Sequence, residues 1–182
     1  MTETLEPTIY EKTFAKSEKT DAILVVDGKK LHVNKALLSY HSDYFKTLFN
    51  SEFKEKSMEE IEIEDVKFED FAVLLSLVQE KPIEITKKNV ENLLKLADRF
   101  LLDAVKYPVE MFIKLSSEFT RYEKLILADK YEFDDLLEYA IGLYQSKETF
   151  MDFYYPIDRQ ISDSLKLKVF EKYFLLCHGL AF

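Results

Sequence analysis

Three histidines and a single cysteine are the side chains best suited to hold a metal or attack a substrate: His32, His41, His178 and Cys177. A tetrahedral zinc site draws its ligands in close pairs, as in C-x-x-C or H-x-x-x-H. Neither pair occurs, and Cys177-His178 are adjacent with the other two far away in the chain. A serine or cysteine nucleophile needs a neighbouring base and an oxyanion hole. No serine is flanked by the glycines of a nucleophile elbow, and Cys177 lies in an apolar helical stretch that suits a structural thiol. Gly28, Gly142 and Gly179 are isolated, so no loop lets the backbone wrap a phosphate. Acidic pairs such as Glu59-Glu60 and Asp134-Asp135 are expected by chance among 34 acidic residues. His41, between two helical segments, reads as a structural histidine. The expectation is a chain with no catalytic residue, no metal and no cofactor: not an enzyme.

Composition narrows the alternatives. The 182 residues carry a net charge of −9, which repels phosphate backbones and disfavours nucleic acid as a partner. No apolar run approaches the ~20 residues of a membrane span. The polar start MTETLEPTIYEK lacks the apolar core of a signal peptide, and one cysteine permits no intrachain disulfide. An intracellular location, cytoplasmic or nuclear, is expected. With 47% hydrophobic residues but only three Gly and four Pro, the chain should be compact and helix-rich.

The elements follow from periodicity. Residues 1–20 are charged and weakly patterned and read as a tail, with a short ordered piece at Tyr10–Phe14. Ala22–Val26 and Lys30–Val33 flank Asp27-Gly28, which predicts a hairpin. Asn34 caps a helix over Lys35–Tyr40, and Ser42 caps the next, in which Tyr44, Phe45, Leu48 and Phe49 recur at helical spacing. Glu60–Glu64 alternates acidic and apolar residues, a strand with one buried face. Phe68, Phe71, Leu75 and Val78 mark a helix. Pro82–Ile85 reads as a short strand. Val90–Leu101 is helical, as is Leu102–Lys114, where Pro108 kinks the helix unless it lies in the first turn. Tyr122–Lys130, Phe133–Tyr144 and Ser162–Leu176 are amphipathic helices. The class is α+β, a small sheet with helices clustered around it.

With catalysis set aside, recognition remains. Phe53-Lys54-Glu55 falls in the polar stretch after the aromatic helix. An aromatic side chain flanked by charge is a common interface anchor. The residues alone leave two readings open: Phe53 anchors a partner, or it tucks onto the core.

Asp21–Phe49 (DAILVVDGKKLHVNKALLSYHSDYFKTLF) resembles the signature of the BTB, or POZ, domain, and Asn89–Phe100 (NVENLLKLADRF) resembles its later helix motif. The resemblance spans about Asp21 to Ser116. Three departures stand out. Asn34 replaces the family's usual His, Gln79–Pro82 is shorter than usual, and Pro108 interrupts the closing helix. The resemblance implies a BTB/POZ-like domain over residues 21–116 and a helical, BACK-like extension over 117–182. It also implies a homodimer, and an adaptor that recruits a cullin-3 RING ubiquitin ligase to an unknown substrate protein. In cullin-binding members the loop after the aromatic helix carries a hydrophobic-x-Glu triplet, which Phe53-Lys54-Glu55 matches. Phe53, Glu55 and Tyr44 are then the partner-binding residues, and Asp21 and Lys35 form the charged pocket, a salt bridge between them orienting the first strand against the first helix. Kelch repeats, a MATH domain or a zinc finger do not fit in these 182 residues, and the expectation is that a separate substrate-reading module is missing unless the C-terminal helices or a partner supply it. The alternative within the same fold is an oligomerisation scaffold or transcription-associated regulator without ligase function. A third reading is an adaptor that grips an F-box protein with its C-terminal helices.

Overall fold

Asp27 and Gly28 take φ of 49° and 73° in the computed structural model, the backbone that a two-residue type I′ hairpin requires. The structure describes residues 6–50, 60–153 and 161–179. The turn joins β1 (Ala22–Val26) to β2 (Lys29–Val33), antiparallel, with Leu24 opposite Leu31. β3 (Glu60–Glu62) runs parallel to β1 on its other side, giving the order β2-β1-β3. Alternation does what the pattern demands. Ala22, Leu24 and Val26 point inward, and Ile61 is buried between two exposed glutamates. The Ile63 N–H still donates to the Val25 carbonyl, 2.9 Å, so the alternating stretch stays attached beyond the formal strand. Across the outer face Lys30 on β2 pairs with Glu60 on β3.

The chain divides into two compact units, Met1–Val109 and Glu110–Phe182. In the first, α1 (Ile9–Thr13) is closed by a capping box. The Glu11 N–H donates to the Thr8 hydroxyl and the Thr8 N–H donates to the Glu11 carboxylate. That bond from the Thr8 N–H holds the Glu11 carboxyl below its ordinary pKa. Tyr10 meets the Phe68 ring edge-on at 5.7 Å and Phe14 is buried. The ordered piece expected at Tyr10–Phe14 is thus a packed helix.

α2 (Lys35–His41) and α3 (Asp43–Asn50) follow the hairpin. α4 (Phe68–Ser76) is apolar almost all round, with Phe68 and every residue from Phe71 to Ser76 buried, and forms the centre of the unit. The Asp27 carboxylate reaches across to accept the Phe68 N–H at 3.3 Å. The turn residue thereby holds the start of α4, which has no side-chain cap of its own. α5 (Val90–Arg99) packs on α4 with Val90, Leu93, Leu94 and Ala97 buried.

The short strand expected at Pro82–Ile85 is absent: the segment pairs with no strand of the sheet. Pro82 has no N–H to contribute, and the Ile83 N–H is taken by the buried Ser76 hydroxyl at 2.9 Å. Ile83 and Ile85 are buried, so the alternation was real. It reports burial of two side chains, not a strand partner.

A 3₁₀ turn (Asp103–Val105) leads into α6 (Lys106–Leu115). Pro108 sits in its first turn, where the missing N–H has no intrahelical acceptor, so no kink is needed. In the second unit, α7 (Arg121–Lys130) has a Thr120–Glu123 capping box, and α8 (Asp134–Gly142) is capped from outside: the Glu110 carboxylate accepts the Leu136 N–H at 2.9 Å. The nearly buried Lys124 ammonium donates to the Lys114 carbonyl at 2.7 Å, and burial pulls its pKa down. The 3₁₀ segment Lys147–Phe153 gathers Phe150 and Phe153 around the buried Tyr144. α9 (Asp163–His178) is capped by Ser162, whose N–H and hydroxyl both donate to the Asp129 carboxylate, and it ends at Gly179 in the left-handed region.

Candidate functional site

The recognition surface proposed from the sequence hangs on α3, so the question is what holds α3. Ser42 answers it. Its side chain is buried, and it accepts the Phe45 N–H at 3.1 Å, which caps the N-terminus of α3. The same hydroxyl donates to the Phe100 carbonyl at 2.6 Å. Phe100 is the residue that closes α5, so its carbonyl is one of the orphan acceptors at that helix end. One hydroxyl therefore caps two helices, the start of α3 and the end of α5.

The end of α5 is itself unusual. The Leu101 N–H donates to the Asp98 carbonyl and the Leu102 N–H to the Ala97 carbonyl, the two bonds of a Schellman motif. That motif puts its central residue in the left-handed region, where glycine is usual. Here Leu101 occupies it, with φ 50°, at a cost of about 1 kcal/mol or more. The buried Leu102 holds the turn in place. Arg99 adds a fork: its guanidinium donates to the carbonyls of Glu64 and Asp65 at 3.0 and 2.9 Å, tying α5 to the loop after β3.

Tyr44 is half-buried on α3, with its ring edge-on to Phe45 at 5.3 Å and to Phe100 at 5.0 Å. Phe45 is fully buried, stacked on Phe49 and on Phe100, and Phe71 closes the cluster. Phe45 and Phe49 are thus core residues that set the position of α3, with Tyr44 at the margin of the core. Phe53 and Glu55 lie outside the described residues. Asp21 and Lys35 are brought together, through the backbone: the Asp21 carboxylate accepts the Lys35 N–H at 2.7 Å. The Lys35 ammonium lies over the Phe49 ring, 5.9 Å from its centroid. Asp21 thus assists Asn34, whose side chain accepts the Leu37 N–H and donates to the Lys19 carbonyl, in holding the first turn of α2.

His41 meets Tyr40 edge-on at 4.9 Å. Among the described residues, no three His, Cys, Asp or Glu side chains are grouped to hold a metal ion. No described helix is long and apolar enough to cross a membrane.

Ser42→Ala is expected to lower stability by about 2–3 kcal/mol, because it leaves a buried N–H and a buried carbonyl without partners. A urea denaturation midpoint within error of wild type would refute the double-capping role.

The described fold is thus a mixed three-stranded sheet on a buried helix, with α3 and α5 joined end to end through Ser42. The BTB/POZ domain family matches residues 10–117, and the chain belongs to that family. It is 36% identical over 167 residues to the Caenorhabditis elegans BTB/POZ domain-containing protein Y57A10B.3, covering 91% of this chain and 52% of that protein. It is 35% identical over 133 residues to the C. elegans BTB and MATH domain-containing protein 36, covering 73% of this chain and 42% of that one. The chain thus spans about half the length of the curated relatives it matches. The BTB domain of human gigaxonin aligns with a TM-score of 0.44 and 26% identity, over 52% of this chain and 77% of that structure. BTB domains are protein-interaction modules that mediate self-association and bind partners, and the family is generally non-enzymatic.

Proposed function

We propose that this chain is a homodimeric intracellular adaptor that brings a cullin-3 RING ubiquitin ligase to substrate proteins, with Phe53 as the anchor, Glu55 beside it and Tyr44 on the flank. The observation that carries the reading is the Ser42 link between α3 and α5. A segment that presents a short recognition triplet gains affinity when its base is rigid, because less freedom is lost on binding. Residues 51–59 follow α3 in the sequence, and α3 is capped at its start by Ser42 and packed along its length by Phe45 and Phe49. The order of parts fits an adaptor: a BTB/POZ domain over about 21–116, followed by a helical BACK-like extension over 117–182. Asp21 and Lys35, the charged pocket of the family, serve the α2 start in this reading.

The test is direct. Purified full chain is titrated with purified cullin-3, and binding is followed by calorimetry, with light scattering for the mass of each species. A saturable complex with one cullin per protomer is expected. A dimer that gives no heat and no complex would sink the ligase reading and favour the scaffold alternative, and a monomer would sink both.

A further inference from the structure

α9 packs against α8 and the 3₁₀ segment Lys147–Phe153, yet most of its surface is open. Of its 16 described residues only Leu165 is buried. Leu167, Phe170, Tyr173 and Phe174 are 58, 63, 39 and 48% exposed. At 100° per residue Asp163, Lys166, Leu167, Phe170, Tyr173, Phe174 and Cys177 lie on one face. The rings form a ridge, Phe170 to Phe174 at 6.3 Å and Phe174 to His178 at 4.3 Å, with Tyr173 on its flank edge-on to Phe150 at 5.2 Å. A lone helix of this length is marginal in water and draws its stability from a covered face.

We infer that this face pairs with the same face of a second copy, as an antiparallel two-fold helix pair centred on Phe170. Three observations select that occupant. The first is charge. The chain carries −9, yet this face holds just Asp163 and Lys166, which pair with each other at 2.7 Å. Two copies therefore meet here on a neutral patch, where like-charge repulsion is least. The second is polarity along the helix. The face is charged at its N-terminal end and aromatic at its C-terminal end, so reversing one copy sets Lys166 against the partner copy's Phe174 ring and Asp163 toward its His178. Both contacts are favourable, and antiparallel helix dipoles attract. The third is placement. Phe170, the most exposed ring of the ridge, lies at the midpoint of the stretch from Asp163 to Cys177, where a two-fold axis must fall. The four side chains expose roughly 400 Å² per copy, about half of a standard interface side, so the pairing is weak, in the micromolar range or above. It stands independently of the adaptor reading, and on a BTB dimer it would link dimers into larger assemblies.

Two measurements on the full chain test it. By sedimentation equilibrium, from low to several hundred micromolar, the average mass is expected to rise with concentration. In Phe170→Glu plus Phe174→Glu that rise should be lost, with the circular dichroism of wild type retained. The second readout fixes the geometry. In a Cys177→Ser background, Phe170→Cys should form a disulfide-linked dimer under dissolved oxygen, because the two sulfurs face each other across the axis. Native Cys177 should not, since antiparallel pairing sets the two copies of residue 177 about 21 Å apart along the helices. Unchanged mass at all concentrations, an equal rise in the glutamate variant, or linkage through Cys177 as fast as through Phe170→Cys would each overturn the proposal. In the first case the face belongs to a different protein's interface.

Discussion

Replacing Phe100 with alanine is expected to destabilise the first unit by about 3–5 kcal/mol, enough to consume a large part of a domain's stability. Phe100 is fully buried and its ring is shared by three others: Tyr44 at 5.0 Å, Phe45 at 5.8 Å and Phe71 at 5.0 Å. The cavity left behind lies between α3, α4 and α5, where α4 is buried on nearly every side and has no freedom to collapse inward. Truncation also loosens the backbone whose carbonyl receives the Ser42 hydroxyl. The two effects share a partner, so Phe100→Ala and Ser42→Ala should be less than additive when combined. Hydrogen exchange at β1 and α4 checks the result. Protection that falls only in α3, with β1 and α4 unchanged, would contradict the central place given to this ring. Phe100→Leu keeps most of the volume and should cost about 1–2 kcal/mol.

Phe53→Ala combined with Glu55→Ala is expected to weaken cullin-3 binding by at least roughly 30-fold, the equivalent of about 2 kcal/mol for loss of a central aromatic anchor. The denaturation midpoint should not move, because in this reading neither side chain belongs to the core. That combination separates a binding role from the other reading left open by the sequence, in which Phe53 packs inward. Loss of stability together with loss of binding would favour the core role. Unchanged affinity would remove the site altogether. Tyr44→Ala is a weaker test, since its ring also packs against Phe45 and Phe100.

Local rules explain what could be read from the residues. A cap acts within three residues, so Asn34 and Ser42 could be assigned from their positions alone, and each accepts the N–H three residues on. The Asp-Gly turn and the alternation at Glu60–Glu64 depend only on backbone conformation and pleat, and both appear as hairpin and edge strand. Pro82–Ile85 failed for a reason of the same kind. Alternating burial is local, but a strand needs a ladder partner, and the Ile83 N–H went to Ser76 instead.

What the sequence determined by itself, then, is the α+β class and the order of nearly all elements, because periodicity, turn chemistry and capping are short-range; the family was legible through the resemblance of Asp21–Phe49 and Asn89–Phe100 to its motifs. Only the tertiary structure decided how α3 is held. Ser42 was legible as a cap for the helix that follows it. Its second bond reaches a carbonyl 58 residues away, and the Arg99 fork reaches back 34 and 35 residues. No spacing rule encodes such pairs, since they exist only once α5 has packed beside α3 and β3. The exposed face of α9 is the same lesson in reverse. The sequence reads that segment as an amphipathic helix with a face to bury, but apolar residues lie all round it, Leu165, Val169 and Leu176 on one side and Phe170 and Phe174 on the other, and the aromatic side is left mostly exposed.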